Sequence, residues 1–332
     1  MTTNDDTTET TEPWLVELLV HSDPGPLVRK HLSLAKVLAL SRACKSLHKL
    51  VLDETTRARD LWVSAKAAAE AEAEEDVMVA EGRVSSICAE MACRTGYLSM
   101  LIHLHENDCP WDKYLTYLAA ENGHLDCLKY AYDNGCPCDK YVCESAAYYG
   151  QLACLQYAHE NGCPWDLETC YAAAAGGHLD CLQYAHEHGC EWDEDTCAFA
   201  TANGHLDCLQ YAHENGCPWD KDTCTEAAGH GQLACLQYAH NNGCPWDKWT
   251  STRAAEYGHL DCLQYAHKNG CPWDKWTCWE AARNGQLTCL RYAHKHGCPW
   301  DERTWTAANR GGHEACIQYL RENNCPGSGA YV

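Results

Sequence analysis

The chain has 332 residues, with 25 Lys plus Arg against 47 Asp plus Glu, and carries a net charge of −22. That balance argues against nucleic acid and anionic membrane surfaces as partners, because both call for a basic track that displaces counterions. No apolar run approaches the roughly 20 residues that span a bilayer.

Residues 1–12 are rich in Thr and Asp and lack a basic start, so they are expected to form a disordered tail and not a signal peptide. A cytoplasmic location is expected, with the nucleus also open to the protein. Residues 13–62 have the texture of a small helical head. Leu15-Val-Glu-Leu-Leu-Val20 fits a first helix, and His21 to Pro26 fits a loop. Leu32 to Val51 is helical by periodicity, with apolar residues at Leu34, Val37, Leu38, Ala43, Leu47 and Leu50. Residues 63–83 form an Ala/Glu-rich linker in which Glu70, Glu72, Glu74, Glu75 and Asp76 cluster. Such a segment is a solvated helix or a charged spacer, without a site.

From residue 84 to 326 the text repeats, and residues 327–332 close the chain as a short tail. A glycine returns every 27 residues, at Gly96, Gly123, Gly150, Gly177, Gly204, Gly231, Gly258, Gly285 and Gly312. A fixed period of this length marks a stacked array, in which each unit buries its apolar face against its neighbours. In one copy, Asp166 is placed to cap a short helix, Cys170, Ala173 and Ala174 share one face of it, and Gly177 ends it in the left-handed region. A second helix is expected from about His178 to His188. Its residues Leu179, Cys181, Leu182, Tyr184, Ala185 and His186 cover so wide an arc that it must be buried on more than one side. The Trp at 165, 192, 219, 246, 273 and 300 falls in the turn between copies, where it is expected to cover the seam; Cys138 replaces it once. In the last copy Glu314 and Arg321 make the terminal face polar, as a capping unit requires.

The 26 cysteines follow the same period. Eight sit four residues after a repeat glycine, nine sit thirteen after it and five sit seven before it; only Cys44, Cys88, Cys93 and Cys138 lie outside these series. Residues placed this way are expected to be free core fillers in a reducing compartment. Zinc would need knuckle spacing, which pairs such as Cys163/Cys170 and Cys217/Cys224 lack, and Gly216 breaks the helix between His213 and Cys217. A catalytic site would need unique polar residues, whereas here every His–Cys pairing recurs. The expectation is therefore a non-enzyme with no cofactor and no metal.

Positions nine, six, five, two and one before each glycine vary between copies, all along the first helix. They carry large aromatics, and Tyr114, Tyr117, Tyr148, Tyr149, Trp249, Tyr257, Trp276 and Trp279, with Arg283, are the candidate protein-binding residues. Tyr141, Tyr171 and Phe199 occupy the same positions. Such residue types either anchor interfaces or pack against adjacent first helices. Trp276, Trp279 and Arg283, spaced by three and four, share one face.

The stretch Gly204-His-Leu-Asp-Cys-Leu-Gln-Tyr-Ala-His-Glu-Asn-Gly-Cys217 resembles the second helix of an ankyrin repeat, and Thr169, Ala173 and Ala174 match family positions of the first. The resemblance implies an all-α solenoid of helix pairs that binds proteins as a monomer. The ankyrin repeat has 33 residues and this one 27; the missing six fall between Asp166 and Thr169, where the family has its β-hairpin finger. Tight turns without fingers are expected, leaving the first-helix face as the binding surface. Leu32 to Val51 is similar to the latter part of an F-box. That resemblance implies docking of a Skp-family adaptor of cullin-based ubiquitin ligases, through Leu34, Val37, Leu38 and Leu47. The pairing of F-box and ankyrin array implies a protein of large viruses of amoebae. The alternative is that the head only caps the first repeat's apolar face, leaving a pure binding scaffold or decoy.

Overall fold

The computed structural model describes residues 89–108, 111 and 113–329. The tail, the head with Leu34, Val37, Leu38 and Leu47, and the linker lie outside the described residues. All regular structure among the described residues is helical, and no described helix is long and apolar enough to cross a membrane.

After helical residues 89–95, the chain runs α1 (Leu98–Glu106), α2 (Tyr114–Glu121), α3 (Leu125–Asp133), α4 (Lys140–Tyr148), α5 (Leu152–Glu160), α6 (Leu167–Gly176), α7 (Leu179–Glu187), α8 (Glu194–Asn203) and α9 (Leu206–Glu214). It continues as α10 (Lys221–Gly229), α11 (Leu233–Asn241), α12 (Lys248–Tyr257), α13 (Leu260–Lys268), α14 (Lys275–Arg283), α15 (Leu287–Lys295), α16 (Glu302–Gly311) and α17 (Glu314–Glu322). Even-numbered helices from α2 onward are the first helices of their copies, and each is followed by its partner second helix. First helices pack closely on the first helices of both neighbours and on their own partner; second helices meet more sparsely.

The close approach follows from small side chains. On α6, Thr169, Cys170, Ala172, Ala173 and Ala174 are all buried. Each second helix from α3 to α15 contributes one fully buried leucine, from Leu128 and Leu155 through Leu182, Leu209, Leu236 and Leu263 to Leu290. Burying one such side chain is worth about 1.5–3 kcal/mol. A helix of nine residues is too short to persist alone, so packing holds it.

The predicted caps are present. Asp166 Oδ1 accepts from the Glu168 amide at 3.1 Å, and Asp139, Asp193, Asp220, Asp247, Asp274 and Asp301 cap their helices in the same way. Gly177 ends α6 with φ of 75°. These glycines have a second reason. A Cβ on Gly231 would stand 2.5 Å from Nδ1 of His259 in the next copy. Left-handed backbone and inter-copy packing therefore select the same residue.

The expectation that every cysteine is a free thiol is corrected at one pair. Cys138 and Cys163 form a disulfide between adjacent copies, with Cα atoms 5.5 Å apart. Cys138 stands where other copies place Trp, and Tyr132 where they place His, so the usual ring stack is absent and the two thiols meet. The other described cysteines are buried, and twenty of them, Cys136 aside, are free thiols. In the series that includes Cys163, several thiols also donate to the preceding copy's capping residue; Cys190 Sγ lies 3.0 Å from the Asp166 carbonyl oxygen. At the far end Trp305 takes the place that Cys holds in α6 and α14. It is buried, and the Arg321 guanidinium lies 5.6 Å from its ring.

Candidate protein-recognition face

The first helices turn their small residues toward one another, which directs several of their variable positions outward, although Ala172, Ala198, Thr225 and Thr252 at such positions are buried. Tyr114, Tyr148, Tyr149, Trp249 and Tyr257 are 45–56% exposed, far above the usual accommodation of a large ring. Exposed rings of this size mark a surface suited to contact.

The candidates fall into two groups. Tyr117, Tyr148 and Tyr149 line an open cavity of about 350 Å³ across α2, α4, α6 and α8, together with Tyr141, Glu144, Tyr171 and Phe199. Tyr148 and Tyr149 meet edge to face at 5.0 Å, and Tyr171 stacks on Phe199 at 5.0 Å. Burial pushes the Glu144 carboxyl above its ordinary range, helped by nearby Glu168 and opposed by Lys140. Burial and the Glu121 carboxylate likewise raise the Tyr149 hydroxyl. Tyr114 lies apart from the cavity lining.

The second group sits on α12 and α14. Trp276 and Trp279 meet edge to face at 5.2 Å, and the Arg283 guanidinium lies 5.1 Å over Trp279, so the spacing of three and four does bring them together. Tyr257 has Arg253 over its ring at 5.8 Å, and Trp249 has Lys248 at 5.6 Å. Between the groups α10 carries no aromatic; Lys221 and Asp222 are exposed, Glu226 is half-buried, and Thr225 and Gly229 are buried.

Two inter-copy ladders escaped sequence reasoning. Lys113, Lys140, Lys248 and Lys275 each reach the capping Asp of the next copy, at 3.3, 3.0, 3.0 and 3.2 Å. The signal was visible as a Lys directly after most of the capping aspartates. On the other side, His159 stacks on Trp165 at 3.8 Å, and its Nδ1 shares a hydrogen bond of 2.9 Å with the Tyr184 hydroxyl of the next copy. The same triad recurs at His213, Trp219 and Tyr238, and again at His240, Trp246 and Tyr265. Trp thus covers the seam as expected, with His and Tyr as partners. Burial lowers the proton affinity of His159, His267 and His294.

Among the described residues, no group of three or more His, Cys, Asp or Glu is arranged to hold a metal ion. Comparison with protein-family models finds no match, and comparison with curated proteins finds none either. Among solved structures the chain is similar to the human ASB11 ankyrin repeat domain, at 17% identity and a TM-score of 0.42, covering 47% of this chain and 84% of that one.

Proposed function

We propose that this chain is a non-enzymatic recognition protein of the ankyrin-repeat type, which captures a target protein on its first-helix face as a monomer. One observation carries this reading. The positions that vary between copies include all the exposed large aromatics of that face, Tyr114, Tyr141, Tyr148, Tyr149, Phe199, Trp249 and Tyr257, while the framework beneath them repeats. A stacked array with variable surface positions is built for binding proteins. Aromatics and Arg are the residue types that carry interface energy.

The fuller form of the proposal gives residues 13–62 the role of an F-box-like head that delivers the target to a cullin-type ubiquitin ligase, in the cytoplasm of a virus-infected host. The apolar pattern at Leu34, Val37, Leu38 and Leu47 supports it. The many free thiols among the described residues support a reducing compartment. Two measurements test the two halves. Replacing Trp276, Trp279 and Arg283 by Ala weakens target capture with folding intact; unchanged capture refutes this surface. Full-length protein retains a Skp-family adaptor in a pull-down, and Leu34→Asp with Leu38→Asp abolishes retention. No retention by the unaltered chain leaves the pure scaffold or decoy.

A further inference from the structure

Two first helices near the C-terminal end each hold a complete set of aromatic ring, guanidinium and carboxylate. On α12, Arg253 lies 5.8 Å over the Tyr257 ring with its Nη1 3.1 Å from Glu256 Oε2. On α14, Arg283 lies 5.1 Å over Trp279 with its Nη1 3.5 Å from Glu280 Oε2. The cavity across α2, α4, α6 and α8 offers the same rings and a carboxylate, but its guanidinium does not come from the chain. Among the described residues, no Arg lies over a ring of this cavity; Lys113 and Lys140 each lie 5.7 Å from the Tyr141 ring, and no Lys lies over Tyr117, Tyr148, Tyr149, Tyr171 or Phe199. Lys140, one turn before Glu144, gives its ammonium to Asp166 and Glu168 of the next copy. Glu144 Oε2 is covered and has no hydrogen-bond partner among the described residues, although the residue as a whole remains partly exposed at the cavity. Glu144 lines the cavity, so a charged donor placed there would compensate a carboxylate whose other oxygen is covered and unpaired.

We propose that this cavity takes the side chain of an arginine presented by a partner protein, its guanidinium lying against the tyrosine and phenylalanine rings and donating to Glu144. The inference rests on the recognition role of the first-helix face and names the chemistry that face selects. Arginine fits better than lysine, because its planar, weakly hydrated fork stacks on rings and donates to a carboxylate at once. The volume of about 350 Å³ accommodates one long side chain. The chain's net charge of −22 steers a basic segment toward it.

The test is a ligand-observed NMR titration of the full chain with an acetylated, amidated Gly-Ser-Arg-Ser-Gly peptide. Its counterparts carry lysine or citrulline, the neutral isostere of arginine. Saturable binding of the arginine peptide is expected, with the citrulline peptide and the Glu144→Gln protein each weaker by about tenfold or more. Phe199→Ala also weakens binding, whereas Glu256→Gln, whose carboxylate serves Arg253, leaves it unchanged. Circular dichroism confirms that the variants are folded. Equal binding of the arginine and citrulline peptides, equal binding by Glu144→Gln and the unaltered protein, or no saturation in the millimolar range overturns the proposal. If the probe fails while target capture still depends on Trp276, Trp279 and Arg283, the ligand chemistry falls and the recognition face stands.

Discussion

At the scale of single residues, two physical demands converge on the repeat glycines. Gly231 has φ of +72° and faces His259 of the next copy, whereas Gly243 has φ of +85° and nothing within 4 Å of a built Cβ. Gly243→Ala therefore meets only left-handed strain, about 1–2 kcal/mol. Gly231→Ala adds a clash with a ring. Urea denaturation should place Gly231→Ala clearly below Gly243→Ala, and equal losses would remove the packing role. The lysine ladder gives a gain instead of a loss. Leu167 and Glu194 stand where other copies place Lys beside the next capping Asp. Leu167→Lys and Glu194→Lys should each stabilise by about 0.2–1 kcal/mol in low salt, an advantage that high salt removes. Denaturation midpoints at two ionic strengths check this.

At the scale of helices, buried titratable groups set a pH window. Burial raises the Cys127 and Cys154 thiols to about 11 and that of Cys181 to about 12, from an ordinary value of 9.0. The folded state thus holds these protons more tightly than the unfolded state. Their stabilisation is complete below pH 9.0 and is lost as pH rises toward 11 to 12. His159, His267 and His294 shift the other way, down from 6.5. The unfolded state binds their protons more readily, so stability falls as pH drops below 6.5. A denaturation series across pH should show a plateau between these limits, and a plateau reaching past pH 12 would contradict the burial of the thiols. Helix positions were legible in the sequence because cap, apolar face and glycine recur at fixed offsets. Asp166, Cys170 and Gly177 each do in space what their spacing implied. The ladder residues recur visibly, but their pairing was not legible, because it joins residues about 25 positions apart, beyond the reach of any helical period. The Cys138–Cys163 bridge was hidden for a related reason. It follows from two substitutions, Tyr132 for His and Cys138 for Trp, that look unrelated until adjacent copies are stacked.

At the scale of the whole array, stability is a sum of copies and the seams between them. A crosslink at one seam should therefore act locally. Reducing Cys138–Cys163, or replacing Cys163 by Ser, should speed amide exchange in α4 and α5 while leaving α13 to α15 unchanged. Uniform acceleration along the array would contradict this nearest-neighbour behaviour. The two aromatic groups were each visible as composition, but only the packing of four consecutive first helices shows that Tyr117, Tyr148, Tyr149, Tyr171 and Phe199 line one open cavity. Sequence spacing grouped residues within a helix, as with Trp276, Trp279 and Arg283, and could not group them across copies.

Hydroxyl-radical footprinting of the chain, free and with a captured partner, probes the binding face directly. Oxidation of Tyr114, Tyr148, Trp249 and Tyr257 on the first helices should fall on binding, while Tyr157 and Tyr211 on the second helices keep their reactivity. Protection of Tyr157 and Tyr211 with the first-helix rings unchanged would place recognition on the opposite side and end the account.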